Sequence, residues 1–111
     1  MVQFVWEYIV LPEKAREFER AYAGSGAWAE LFRKNPGYRG TQLLRDAENL
    51  LRYLTIDRWD SVASHQAMRE RFAKDYAEMD RACEDFTETE RSVGVFFYES
   101  RGILVTGKAA F

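Results

Sequence analysis

The chain has 111 residues, 47% of them hydrophobic and 15% aromatic, and its 16 basic and 18 acidic side chains leave a net charge of −2. That length fits one domain with enough apolar material for a core. The balanced charge, with no basic stripe, argues against nucleic acid as a partner, and no apolar run approaches the ~20 residues a membrane helix needs.

Residues 2–10, VQFVWEYIV, are rich in β-branched and aromatic residues and predict a first strand. Phe4, Trp6, Tyr8 and Val10 would face one way and Val5, Glu7 and Ile9 the other, so both sides of this strand expect cover. Residues 13–34 read as helix, broken or kinked at Gly24-Ser25-Gly26 and stopped at Asn35-Pro36-Gly37. Residues 38–46 predict a second strand. A polar turn at residues 46–49 joins it to a third, Leu50 to Trp59, as a hairpin. Asp60 or Ser61 then caps a long second helix. Its apolar stripe is Met68, Phe72, Tyr76, Met79, Cys83 and Phe86, at alternating spacings of four and three. Thr87 to Ser92 reads as a loop and Val93 to Tyr98 as strand four.

The order β-α-β-β-α-β predicts an α+β fold of the ferredoxin-like type with an antiparallel sheet. Two helices cover one face of four strands, so apolar residues on both faces predict a second copy of the chain, a homodimer. Residues 1–99 form the predicted domain. The tail, 100–111, either adds an edge strand or is disordered.

Cys83 is the only cysteine, which excludes an intrachain disulfide and fits a reducing compartment. The N-terminus lacks a basic segment and carries Glu7 within its apolar run, unlike a signal peptide. The expectation is a soluble, cytoplasmic protein. One histidine and one cysteine are too few for a typical zinc site, and GxGxxG, P-loop and GxSxG motifs are absent.

The link NPGYRGTQLLRD and the stretch RYLTIDRWDS leading into helix two resemble the antibiotic biosynthesis monooxygenase domain over roughly residues 2–98. The resemblance implies a dimeric α+β barrel with a pocket in each protomer between sheet and helices, commonly lined by the strand-ending tryptophan, here Trp59. It also implies several activities: cofactor-independent oxidation of phenolic polycycles and anthrones, quinol oxidation, or haem degradation. The haem-degrading branch needs an asparagine on strand one and a histidine on helix two, where this chain has Tyr8 and Tyr76. The anthrone-oxidising branch uses an asparagine, a tryptophan and a tyrosine: Trp59 matches the tryptophan, Tyr8, Tyr53 and Tyr76 are the candidates for the tyrosine, and Asn35 and Asn49 sit in turns, unlike the asparagine.

The expected activity is oxidation of a phenolic polycycle, anthrone or quinol by O₂, with no cofactor, since the substrate supplies the electrons. The alternative is a non-catalytic small-molecule binder of the same fold. Either way the expected partners are a small aromatic molecule and a second copy of the chain. The candidate catalytic residues are Trp59, Asp57, His65 and Tyr76. Trp59 either lines the pocket or closes the core. Asp57, on the face shared by Tyr53, Thr55 and Trp59, is either a base with a raised pKa or a salt-bridge partner of Arg45 or Arg52. His65 either transfers protons at the pocket mouth or lies at the surface. Trp6, Tyr8, Tyr22, Trp28, Tyr53, Met68 and Phe72 are the candidate substrate-binding residues, with Tyr22 and Trp28 flanking the glycine break as a lid or a plain kink.

Overall fold

A computed structural model describes residues 1–98. Four strands form one antiparallel sheet in the order β2-β3-β1-β4: β1 (Val2–Val10), β2 (Tyr38–Arg45), β3 (Arg52–Trp59) and β4 (Thr87–Phe97). Helices α1 (Ala15–Tyr22), α2 (Ala27–Phe32), α3 (Val62–Arg71) and α4 (Ala73–Cys83) cover one face. This is the predicted ferredoxin-like order. The proposed tail strand lies outside the described residues, and among those described no helix is long and apolar enough to cross a membrane.

The register lays out side chains in rows across the helix-covered face, because directly opposed residues point to the same side. From β2 to β4 the rows are Tyr38–Trp59–Val2–Phe97, Thr41–Asp57–Phe4–Val95, Leu43–Thr55–Trp6–Ser92 and Arg45–Tyr53–Tyr8–Glu90. Three irregularities bend this lattice, one of them an extra residue, Glu88, where β4 meets β1 at Ile9 and Val10. Gly40, at φ +118°, carries β2 past a bulge at Arg39. An extra residue, Val93, sits between Gly94 and Ser92 where β4 meets β1.

The expected helix of residues 13–34 is two short helices after a 3-10 turn at Pro12–Lys14. They part at Gly24-Ser25-Gly26, where backbones come too close for side chains. A Cβ at residue 24 would lie 2.8 Å from the Thr41 carbonyl oxygen, and one at residue 26 would lie 2.3 Å from that of Arg20. Arg33 Nη2 donates to the Gly24 carbonyl at 2.8 Å and ties the break together.

Helix two starts at Ser61, whose Oγ accepts from the Ser64 N–H at 3.1 Å. It is not one continuous helix. Phe72 (φ −113°, ψ 31°) leaves helical geometry and separates α3 from α4. The apolar stripe survives this bend, with Met68 and Cys83 buried and Phe72, Tyr76, Met79 and Phe86 packed against the core. The expected loop Thr87 to Ser92 is instead the first half of β4, paired with Trp6–Val10. Its sequence TETERS has no apolar side, so backbone pairing to a central strand overrides a weak local pattern.

The core lies between sheet and helices, around the fully buried Val2, Phe18, Trp59 and Met68. The opposite face carries Val5, Ile9, Leu54 and Ile56, partly exposed, around one charge network. Glu7 there accepts from Arg52 Nε and Arg91 Nε, both at 2.6 Å, and Arg52 also donates to Asp46 at 3.0 Å.

Candidate active site

A cavity of about 40 Å³ lies between the sheet and helices α1, α2 and α4 and opens to solvent. Its walls come from every layer of the fold. Trp6 and Tyr8 (β1), Thr41 (β2), Thr55 and Asp57 (β3) form the floor. Tyr22, Trp28, Phe32 and Tyr76 close it from the helices, and Asp80 and Glu90 stand exposed at the mouth. Alternation puts the floor residues here: all belong to the two middle rows and the Tyr8–Glu90 row of the helix-covered face.

Of the residues singled out by sequence, Asp57, Tyr76, Trp6, Tyr8, Tyr22 and Trp28 line this cavity. Trp59 does not. It is fully buried one row away, edge-on to Phe32 and His65 and tilted against Tyr38, with centroids 5.3–5.6 Å apart, and its indole N–H has no partner. His65 stacks on Phe4 at 3.8 Å and abuts Trp59 rather than the cavity. Burial, then the nearby Arg69 charge, holds its pKa down to about 4, so it is a neutral packing ring near pH 7. Met68 is core, Phe72 marks the helix bend, and the Tyr53 hydroxyl donates to Glu19 on α1.

Asp57 pairs with neither Arg45 nor Arg52. Arg52 is engaged by Glu7 and Asp46, and Arg45 lies near Glu19 and donates to the Leu50 carbonyl. Asp57 Oδ1 instead accepts from Thr41 Oγ1 at 2.6 Å. The threonine hydroxyl has one proton to give, so the Tyr38 hydroxyl, 2.5 Å from Thr41 Oγ1, must donate to it. The result is a directed chain, Tyr38 to Thr41 to Asp57. Burial pushes the Asp57 carboxyl up to about 6, against the lowering effect of the Thr41 hydrogen bond.

The cavity tyrosines are driven the other way from usefulness as bases. Burial raises Tyr8 and Tyr22 far above the ordinary 10, and Tyr76 upward as well. They remain protonated donors. The Tyr8 hydroxyl lies 3.0 Å from Thr55 Oγ1. The Trp28 indole N–H is buried and lacks hydrogen-bond geometry to any acceptor, although the Tyr22 hydroxyl and Cys83 thiol are close enough to feel it. Near neutral pH, then, the floor of the cavity holds one group poised to take a proton among several hydroxyls that keep theirs. Thr41, Thr55, Phe32, Asp80 and Glu90 were not singled out by sequence. Thr41 and Thr55 look like ordinary strand residues, and Glu90 fell in the segment read as loop.

The family model for antibiotic biosynthesis monooxygenases matches residues 1–85. The chain belongs to this family. Solved structures agree on the fold. A Deinococcus radiodurans protein provisionally named an antibiotic biosynthesis monooxygenase aligns with TM-score 0.73 and 15% identity over 96% of this chain and 100% of its own. SnoaB, a cofactor-independent oxygenase from Streptomyces nogalater, aligns with TM-score 0.67 and 20% identity over 89% of this chain and 93% of its own. PA3566 from Pseudomonas aeruginosa gives 0.65 and 14% over 89% and 94%. No curated protein matches the sequence. At these identities the likeness speaks for the antibiotic biosynthesis monooxygenase fold; the chemistry has to be argued from the cavity.

Proposed function

We propose that this family member oxidises a phenolic or hydroquinone-type aromatic with O₂, using Asp57 as the base and no bound cofactor. The observation that carries the reading is a carboxylate with a pKa of about 6 on the floor of an aromatic-walled slot. A general base works best when its pKa lies near the working pH. Asp57 would take the acidic proton of the substrate. The electron-rich anion then passes electrons to O₂. For a methylene flanked by aryl rings the balance is CH₂ plus O₂ giving C=O plus H₂O, with one oxygen atom retained and the other released as water. Tyr8, Tyr76 and the Trp28 N–H are the donors available to a substrate oxygen. The comparison with SnoaB, named as a cofactor-independent oxygenase, supports the same reaction class.

The active unit in this reading is a homodimer. Its support is the uncovered sheet face with Val5, Ile9, Leu54 and Ile56, next to exposed Phe96 near the end of β4.

The test is O₂ uptake by metal-free protein against a panel of hydroquinones and anthrones. Uptake above the spontaneous rate that is lost in Asp57→Asn supports the proposal. Uptake unchanged in that variant removes Asp57 as base. Quenching of tryptophan fluorescence without any uptake would make the protein a binder of the same fold.

A further inference from the structure

We propose that the ligand of this cavity carries a positive charge: it is an amine-bearing phenol or hydroquinone, held by its ammonium group against the aromatic walls and carboxylates. The inference rests on reading the cavity as the substrate site, and it names the substrate class.

Charge is distributed one-sidedly here. Six aromatic rings and three carboxylates line the space, and the lining contains no lysine, arginine or histidine. Among the described residues Asp57, Asp80 and Glu90 form no ion pair, and three arginines of the sheet are engaged with other carboxylates. Arg39 binds Asp60, Arg52 binds Glu7 and Asp46, and Arg45 faces Glu19. The three negative groups act on a common space. Glu90 is raised by burial and then by the Asp80 charge. Burial is the main cause of the upward shift at Tyr8 and Tyr76; Asp57 and Glu90 add to it at Tyr8, while at Tyr76 the Arg69 charge opposes Asp80, Asp57 and Glu90. Arg69 lies 4.0 Å from the Tyr76 ring centroid but does not line the cavity.

The carboxylates are spread around the walls and mouth and do not converge as a chelating group. That spacing suits a diffuse organic cation better than a metal ion. Indole and phenol faces attract ammonium groups, the more so when water is excluded. A neutral phenol can give a hydroxyl hydrogen bond to a carboxylate but no charge to balance the three; an anion would add repulsion. An ammonium group supplies that charge. It also answers a difficulty in the proposed chemistry, since a phenolate forming among carboxylates is opposed unless the substrate brings its own countercharge. The N–H of Trp28, a wall residue 7% exposed, lies near the Tyr22 hydroxyl and Cys83 thiol without hydrogen-bond geometry to either, so a phenolic oxygen would be a better acceptor than it now has.

The experiment is anaerobic titration of the intact protein, near neutral pH, with three soluble catechols that differ in charge: dopamine, ethylcatechol and dihydroxyphenylacetate. Binding is followed by tryptophan fluorescence and calorimetry. Dopamine should bind about tenfold or more tightly than ethylcatechol, with dihydroxyphenylacetate weakest. Glu90→Gln, at the mouth, should reduce the preference, and Asp57→Asn should reduce it further. Dopamine binding no better than ethylcatechol, or not at all in the millimolar range, overturns the proposal. O₂ uptake separates the two readings. Turnover of uncharged hydroquinones without dopamine preference defeats the cation site alone. Dopamine preference without turnover of any hydroquinone defeats the oxygenase alone.

Discussion

Asp57→Asn should stabilise the folded protein while abolishing turnover. In the native chain this carboxyl moves from an ordinary 3.8 to about 6 because burial disfavours its charge. Between those values the folded state keeps a proton that the unfolded state has released. Stability therefore falls as pH rises through this window and is level above it. At about 1.4 kcal/mol per tenfold change, the full cost of holding Asp57 ionised in the fold is about 3 kcal/mol. Asparagine removes that cost and still accepts the Thr41 hydrogen bond at Oδ1. Its amide must be desolvated in place of the free oxygen, which lowers the expected gain to about 1–3 kcal/mol. Urea unfolding of both proteins at pH 8 and at pH 3.5 measures it, with the variant more stable at pH 8 and the gap closing in acid. A variant less stable at pH 8, or a gap independent of pH, would refute the assignment of a burial-strained carboxylate. The same variant, assayed for O₂ uptake, reads the function lost in exchange for the stability gained.

His65 contributes with the opposite sign: its pKa is lowered to about 4 in the fold, so stability is lost as pH falls from 6.5, and His65→Gln should flatten that acid limb in the same unfolding series. Trp59→Phe should leave ligand quenching and turnover within about twofold, because Trp59 lies outside the cavity, whereas Trp59→Ala should cost about 3–5 kcal/mol in urea unfolding. Loss of turnover in a stably folded Trp59→Phe would return this residue to the site. Ile56→Asp on the uncovered face should shift sedimentation to a monomer; an unchanged sedimentation coefficient would place the dimer contact elsewhere or dispense with it.

The elements with strong periodicity were legible from sequence. The β-branched and aromatic run of β1, the alternation of β3 and the stripe from Met68 to Phe86 each carry a local signal that matches their environment. The first half of β4 carries none, because Glu88, Glu90 and Arg91 are exposed and its pairing with β1 is decided by the rest of the sheet. The bend at Phe72 is similarly silent, since the spacing of the stripe continues across it. For the site, alternation was enough to place Asp57 on the helix-covered face. It could not place Trp59 relative to the cavity, because both share that face. Only the register separates them, setting Trp59 between Tyr38 and Val2, where Phe32 and His65 cover it. Thr41 carried no signal, as its importance arises from being opposite Asp57 on the neighbouring strand.

Thr41 is gripped from two sides: its hydroxyl serves Asp57, and its carbonyl oxygen is the surface against which Gly24 packs. A methyl group at residue 24, 2.8 Å from that oxygen, would have to push β2 or the α1–α2 break aside. Either movement would be felt at the hydroxyl 2.6 Å from Asp57. The hinge of the aromatic roof and the tuning of the acid below it are therefore a single mechanical part. A lineage altering the roof to admit a larger substrate would, by the same change, reset the pH at which the floor accepts a proton.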